Sequence, residues 1–194
     1  MTEVKVKKPK VAWGITGAGD KIAEILEVMK DLKNQSEDIV EIDVYLSKAA
    51  ETMLKFYRLD EELKQNFTKV TVESNSNSPF LAGMVQSHKY EFLLIMPASS
   101  NTVAKIVNSI SDTLLTNAAL MSLKAFVPVW IMPVDYKEAI IYTKLPNGKE
   151  MKLRVRKEEA DQVRKLEATE DVRVFENPQK LREGFLIWLK TVKS

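Results

Sequence analysis

Apolar and polar positions alternate along the chain between two periods. Val11-Ala12-Trp13-Gly14-Ile15-Thr16 is short and mostly apolar, as a buried strand is. Lys21 to Asn34 then carries Ile22, Ile25, Leu26, Met29 and Leu32 at helical spacing. Ile39 to Leu46 reads as a second strand, and Ser47 is a good N-cap for a helix from Lys48. Lys69 to Glu73 reads as a third strand, Ser74 to Pro79 as a polar loop, and Phe80 to Ser87 as a short helix. Tyr90 to Met96 is an apolar run long enough for one buried strand, and it stops at Pro97. Helical patterns follow over Val103 to Ile110 and from Asp112, where Leu114, Leu115, Ala118, Ala119 and Leu123 recur. Val127 to Met132 is a further apolar strand.

Beyond Pro133 the pattern changes. Ile140 to Lys144 and Glu150 to Val155 alternate around Leu145-Pro146-Asn147-Gly148, a hairpin signal. A charged helix (Lys157 to Leu166), a short strand (Val172 to Phe175) and a last helix opened by Asn177-Pro178 complete the chain. Together these elements predict an α/β fold: a doubly wound, mainly parallel, Rossmann-like sheet. No internal repeat and no second core is visible. A single domain over 1–194 is expected, with a C-terminal β-hairpin insertion at about 139–156.

Composition narrows the chemistry. Lys and Arg total 29 against 27 Asp and Glu, which gives a net charge of +2 and no nucleic-acid footprint. The basic stretch Val4 to Lys10 is short and reads as a solvated leader. Without Cys there is no disulfide, no thiolate zinc site, no cysteine nucleophile and no iron–sulfur cluster of the chain's own. The lone His88 leaves no two-His metal site, so no metal is expected. Met1 to Lys10 lacks the apolar core of a signal peptide, and no run approaches a membrane span. A cytoplasmic protein without a membrane or nucleic-acid partner is expected.

The candidate chemistry lies in the loops after the strands. Three of the six Gly residues fall in Gly14-Ile15-Thr16-Gly17-Ala18-Gly19-Asp20-Lys21. Glycine permits close backbone approach and unusual φ values. A Walker loop fails here, because Gly19 is followed by Asp20 and Lys21 with no hydroxyl at the magnesium position. A dinucleotide fingerprint fails as well, because Gly17-Ala18-Gly19 continues Asp20-Lys21-Ile22, and strand two ends in Ser47 rather than an acid. Ser99, Ser100, Asn101 and Thr102 follow strand four and open a helix, where free N–H groups and the helix dipole suit a phosphate. The Gly14–Ala18 loop, Ser47 and the Ala98–Thr102 loop all converge on the carboxyl edge of the sheet. Residue chemistry takes this reading to a phosphorylated ligand with a planar or apolar moiety, and no further.

Gly14 to Ala18, Val44 to Ala50, and Pro97 to Ile106 with Ser111 to Ala118 resemble, in order, the FMN-binding flavoprotein family. This family includes flavin-dependent cysteine decarboxylases, phosphopantothenoylcysteine decarboxylase and flavin prenyltransferases. The likeness covers about residues 10 to 133. It implies FMN as cofactor, with Gly14, Thr16, Gly17 and Ala18 lining its phosphate or ribityl chain and Ser47 bonding the phosphate or flavin. It also implies that Ala98, Ser99, Ser100, Asn101 and Thr102 contact the isoalloxazine and phosphate, with Lys105 as a helper. Family members build trimers and larger shells with flavin at subunit boundaries. The resemblance therefore implies a trimer-based homo-oligomer in which Asp112 and Asn117 face a neighbour.

Two departures bear on activity. The cysteine decarboxylases carry a His after strand two, and Ser47 to Phe67 has none. They also carry a Pro-x-Met-Asn-x-x-Met-Trp clamp, and the corresponding Pro128-Val129-Trp130-Ile131-Met132-Pro133-Val134-Asp135 lacks the Asn. His88 precedes strand four, toward the opposite edge, and reads as a surface or helix-end residue. The hairpin, Leu153 to Asp161 and Val172 to Pro178 are similar to archaeoflavoproteins and dihydromethanopterin reductases. That likeness implies electron transfer through FMN from a ferredoxin-like donor, necessarily a separate protein here, to an acceptor such as a pterin. The basic tail through Lys10, together with Lys144, Lys149 and Lys152, is the expected docking surface. No residue stands out as a proton-transfer group. The alternatives are a decarboxylase or prenyltransferase on the same scaffold, or a non-catalytic flavin carrier.

Overall fold

The computed structural model describes residues 8–145 and 147–193. Six strands form one parallel sheet: β1 (Lys10–Ile15), β2 (Glu41–Leu46), β3 (Val70–Val72), β4 (Phe92–Ala98), β5 (Val129–Pro133) and, late in the chain, β8 (Val172–Val174). Their order is β3-β2-β1-β4-β5-β8. The chain winds outward from β1 in one direction, then returns to β4 and winds in the other. The crevice between the carboxyl ends of β1 and β4 is therefore the topological switch point, where ligands of such sheets bind.

Both faces of the sheet are covered, which explains why β4 and β5 are apolar throughout. One face packs α1 (Ile22–Ser36), α2 (Lys48–Tyr57), α3 (Asp60–Asn66) and α8 (Pro178–Lys193) against Trp13, Val44, Leu94 and Trp130. The predicted stripe of α1 is buried at Ile22, Ile25, Leu26, Met29 and Leu32. An aromatic group fastens α8: Phe92 stacks on Trp130 with centroids 4.2 Å apart, and Trp188 meets Phe92 edge-on at 4.9 Å. The other face packs α4 (Leu81–Gln86), α5 (Ser100–Val107), α6 (Leu114–Lys124) and α7 (Lys157–Glu167) against Ala12, Leu93, Ile95 and Ile131.

A polar cluster interrupts this second face. Asp43 is 5 % exposed, and its Oδ2 accepts from the Tyr90 hydroxyl at 2.7 Å and from Lys69 Nζ at 2.5 Å. The Tyr45 and Tyr90 hydroxyls lie 2.6 Å apart. Burial above all, then the bonds to Tyr45 and Asp43, push the Tyr90 phenol far up, so it stays a neutral donor.

The hairpin consists of β6 (Ala139–Lys144) and β7 (Glu150–Val155), paired from Ala139↔Val155 to Lys144↔Glu150. Gly148, at φ 81°, occupies the left-handed position of its turn. Val155 is buried, whereas Ile140 and Tyr142 project from the opposite face at 52 % and 65 % exposure. No helix among the described residues is long and apolar enough to cross a membrane.

Several boundaries differ from expectation. β4 does not stop before Pro97 but runs through it to Ala98. The ladder to β5 shifts register between Ile95 and Ala98, which is where a residue without an N–H is tolerated. α5 starts at Ser100 rather than Val103, and α6 at Leu114 rather than Asp112, because Ser99 and Thr113 are the actual caps. α3 was not expected, since its sequence DEELKQN buries only Leu63 and carries little apolar periodicity.

Candidate functional site

Thr16, immediately after β1, joins the two sides of the switch point. Its N–H donates to the Pro97 carbonyl at 3.2 Å, and its hydroxyl donates to the same oxygen at 2.8 Å. That hydroxyl also accepts from the Ser99 N–H at 2.9 Å. Thr16 is 3 % exposed, and its hydroxyl frames the site by bonding the two loops together.

Ser99 caps α5. Its Oγ accepts from the Thr102 N–H at 3.4 Å and lies 3.1 Å from Thr102 Oγ1. Ala98 and Thr102 are buried. The N–H groups of Ser100 and Asn101 precede the helix's own hydrogen-bond ladder and carry the positive end of its dipole. Asn101 is exposed and Ser100 half-buried, so both are available to a ligand. The Ser100 hydroxyl donates to Asp135, a carboxylate supplied by the segment after β5 that the sequence reading had not placed here.

Ser47 caps α2 as expected, its Oγ accepting from the Ala50 N–H at 3.0 Å, while its own N–H donates to the Ile15 carbonyl at 3.0 Å. The bond to Ala50 uses the oxygen and leaves the hydroxyl proton to donate elsewhere. Glu73, at the end of β3, lies across two helix starts. Its carboxylate accepts from the Lys48 N–H at 3.2 Å and from the Leu114 N–H at 2.7 Å.

The glycines of the first loop act differently from expectation. Gly14, Gly17 and Gly19 all avoid positive φ, and the left-handed residue of this turn is Lys21 at φ 56°. They are small because the chain's own side chains approach them. A Cβ on Gly14 would lie 2.6 Å from Leu115 Cδ2, one on Gly17 2.6 Å from Ala49 Cβ, and one on Gly19 2.7 Å from Tyr57 Cε2. Gly17 is nonetheless exposed and Ala18 half-buried, beside the α5 start. The hairpin reaches this loop through Thr143 Oγ1, 3.4 Å from Asp20 Oδ1.

Lys105 and Asn117 have partners within the chain. Lys105 Nζ is paired with Asp112 Oδ2 at 2.9 Å, so its charge is engaged within the chain. Asn117 is 9 % exposed, and its Nδ2 donates to the Ser76 carbonyl at 2.9 Å and Asn77 Oδ1 at 3.0 Å. It holds the polar loop of its own chain. His88 is exposed at φ 52°, just beyond α4 and before β4, as expected of a helix-end residue.

Of the docking lysines, Lys149 and Lys152 are exposed. Lys8 Nζ donates to the Glu37 carbonyl at 2.8 Å, and Lys10 is paired with Glu41. Residues 1–7, Pro146 and the Lys144 side chain lie outside the described residues.

Beside Ser100 and Asn101 lies a cleft of about 390 Å³ between α5 and the start of α7, walled by Ala104, Arg156, Glu158, Glu159 and Gln162. Sequence reading missed this wall. Arg156, Glu158 and Glu159 lie in the stretch Leu153 to Asp161 singled out above, but only the packing of α7 on α5 brings them to the site.

Comparison with known proteins finds relatives over nearly the whole chain. An uncharacterized protein of Methanocaldococcus jannaschii is 41% identical over 185 residues, covering 95% of this chain and 98% of its own length. The dihydromethanopterin reductase (acceptor) of the same organism is 34% identical, covering 92% of this chain and 96% of its own length. Burkholderia xenovorans DmrB, solved in complex with FMN and described as a cubic protein cage for redox transfer, superposes with a TM-score of 0.81 at 30% identity. That match covers 96% of this chain and 98% of DmrB. The Flavoprotein family model matches residues 1–182, and the chain belongs to the Flavoprotein family.

Proposed function

We propose that this protein is an FMN-binding redox protein that passes electrons from a ferredoxin-like donor to a small acceptor of pterin type. One observation carries the reading: two loops locked together by Thr16 across the switch point, with the start of α5 turned outward beside them. The residues fit the cofactor. The Ser100 and Asn101 N–H groups and the Ser47 hydroxyl proton are donors suited to a phosphate. Gly17 and Ala18 offer an accessible backbone, while Gly14, Thr16, Ala98, Ser99 and Thr102 form the frame. Lys105, with two of its three N–H donors left over from the bond to Asp112, would act as a helper. FMN, when bound, supplies the electron transfer. The chain's own part is to bind, orient and limit access, since Gly14–Ala18 and Ala98–Thr102 contain no titratable side chain.

The dihydromethanopterin reductase relative and the redox cage of DmrB support this assignment. The family's decarboxylase chemistry is disfavoured by the missing His and Asn. We further propose one FMN-binding domain per chain and a trimer-based homo-oligomer in the cytoplasm. Purified protein is expected to be yellow and to release FMN on denaturation; colourless protein that takes up no FMN overturns the proposal. Stopped-flow mixing with reduced ferredoxin is expected to bleach the flavin, more slowly at higher salt and in Lys149→Gln/Lys152→Gln, because steering is screened beyond roughly 8–10 Å. No bleaching with any ferredoxin removes the donor assignment.

A further inference from the structure

The segment after β5 brings a carboxylate to the candidate cofactor loops. The Val134 N–H donates to the Ala98 carbonyl at 3.0 Å, which ties this segment to the end of β4. Asp135 is thereby set beside the start of α5, where it accepts from the Ser100 hydroxyl. Among the described residues this is its one hydrogen bond, and it has no ion pair. The cations nearby in the fold are engaged elsewhere, Lys105 with Asp112 and Arg156 with Glu159. Asp135 and Ser100 are both half-buried, so their surroundings screen the charge less than open solvent does. A hydroxyl has a single proton, and Ser100 spends it on Asp135. Toward a ligand the Ser100 oxygen can therefore only accept. Ser47 is the opposite case, with its oxygen engaged and its proton free. The Ser100 side chain is thus no partner for a phosphate; it suits an uncharged part of a ligand that carries N–H or O–H groups.

We propose that Asp135 is a positioning residue for the redox site, which fixes Ser100 as an acceptor and sets a negative charge beside the flavin part of FMN. The inference rests on the redox reading and deepens it. Uptake of two electrons and one proton gives the flavin ring a negative charge at neutral pH. A neighbouring carboxylate raises the energy of that form more than the energy of the oxidised one. Asp135 thereby lowers the reduction potential of the bound cofactor and makes the protein a stronger reductant for its acceptor.

The test is the reduction potential of bound FMN, measured against a reference dye in wild type and three variants. Asp135→Asn is expected to shift the ratio of reduced-FMN to oxidised-FMN affinity about tenfold, which raises the potential by about 30 mV for a two-electron couple. Asp135→Ser removes the charge with a smaller side chain and is expected to give the same rise, so a misfolded Asp135→Asn leaves the question answerable. Asp135→Glu keeps the charge and is expected to stay within about twofold of wild type, or about 9 mV. A purely structural Asp135 would leave the potential where it is. An unmoved or lowered potential in the neutral variants, or the same rise in Asp135→Glu, overturns the proposal. A gain in FMN affinity over riboflavin with an unmoved potential places the charge at the phosphate and overturns it as well. Wild type that binds no FMN, seen in its flavin spectrum, fails the cofactor reading and takes this inference with it. Wild type that binds FMN, with neutral variants of unaltered potential, fails this inference alone.

Discussion

Thr16 and Ser99 are joined across the switch point: the Ser99 N–H donates to Thr16 Oγ1 at 2.9 Å, while that hydroxyl donates to the Pro97 carbonyl at 2.8 Å. One side chain thus fixes the loop after β1 relative to the start of α5. Thr16→Val keeps the shape and removes both bonds. It is expected to cost about 1–3 kcal/mol in urea unfolding, the usual result of stranding buried polar groups. FMN affinity should fall with it, while Thr16→Ser retains most of both. Unaltered stability and flavin binding in Thr16→Val would refute the framing role.

Gly14 is expected to be replaceable only if Leu115 shrinks. Its absent Cβ would lie 2.6 Å from Leu115 Cδ2, so Gly14→Ala overpacks the β1–α6 contact by about 1–3 kcal/mol. Leu115→Ala alone opens a cavity, at a cost of about 2–5 kcal/mol. The double variant should lose clearly less than the sum of the two, as chemical denaturation in a double-mutant cycle would reveal. Strict additivity would mean that the two residues do not compete for this space.

The Asp43 cluster should be sensitive to a single oxygen. Tyr90→Phe removes one of the two donors to a nearly buried carboxylate and is expected to destabilise by about 1–3 kcal/mol. Denaturant midpoints of this variant and of Tyr45→Phe would show whether Tyr90, the direct donor, matters more.

Alkaline stability should report on Tyr136. Its hydroxyl donates to Glu167 Oε1 at 2.7 Å, and that bond, aided by partial burial, pushes the phenol up to about 12 from 10.0. The folded value lies above the unfolded one, so the contribution is fully present below pH 10 and fades as pH rises toward about 12. The Tm difference between wild type and Tyr136→Phe is expected to be constant below that window and to shrink through it. A difference that grew with pH would contradict the assignment.

Local signals carried far in this chain, and tertiary ones did not. The Ser47 cap, the apolar strands and the period of α1 each depend on neighbours within a few residues, so they were legible without the fold. The carboxyl-edge convergence was legible too, because parallel connectivity dictates it. Residue types did not reveal which partner each hydroxyl takes. Thr16 and Ser99 were expected at the ligand, and nothing in their residue types showed that they also bond to each other's loops. The glycines signalled close approach correctly, but their neighbours are Leu115, Ala49 and Tyr57. Glu73, Asp135 and the α7 wall come from segments distant in sequence; the stretches holding Asp135 and the wall resembled family segments, but nothing in them indicated a place beside α5.

The position of Glu73 gives the sheet edge a direction. Its carboxylate neutralises the leading amides of both α2 and α6. A negatively charged ligand arriving at the start of α2 or α6 therefore meets an anion already installed. The fold carries its own competitor for phosphate, fixed where a second phosphate would otherwise settle.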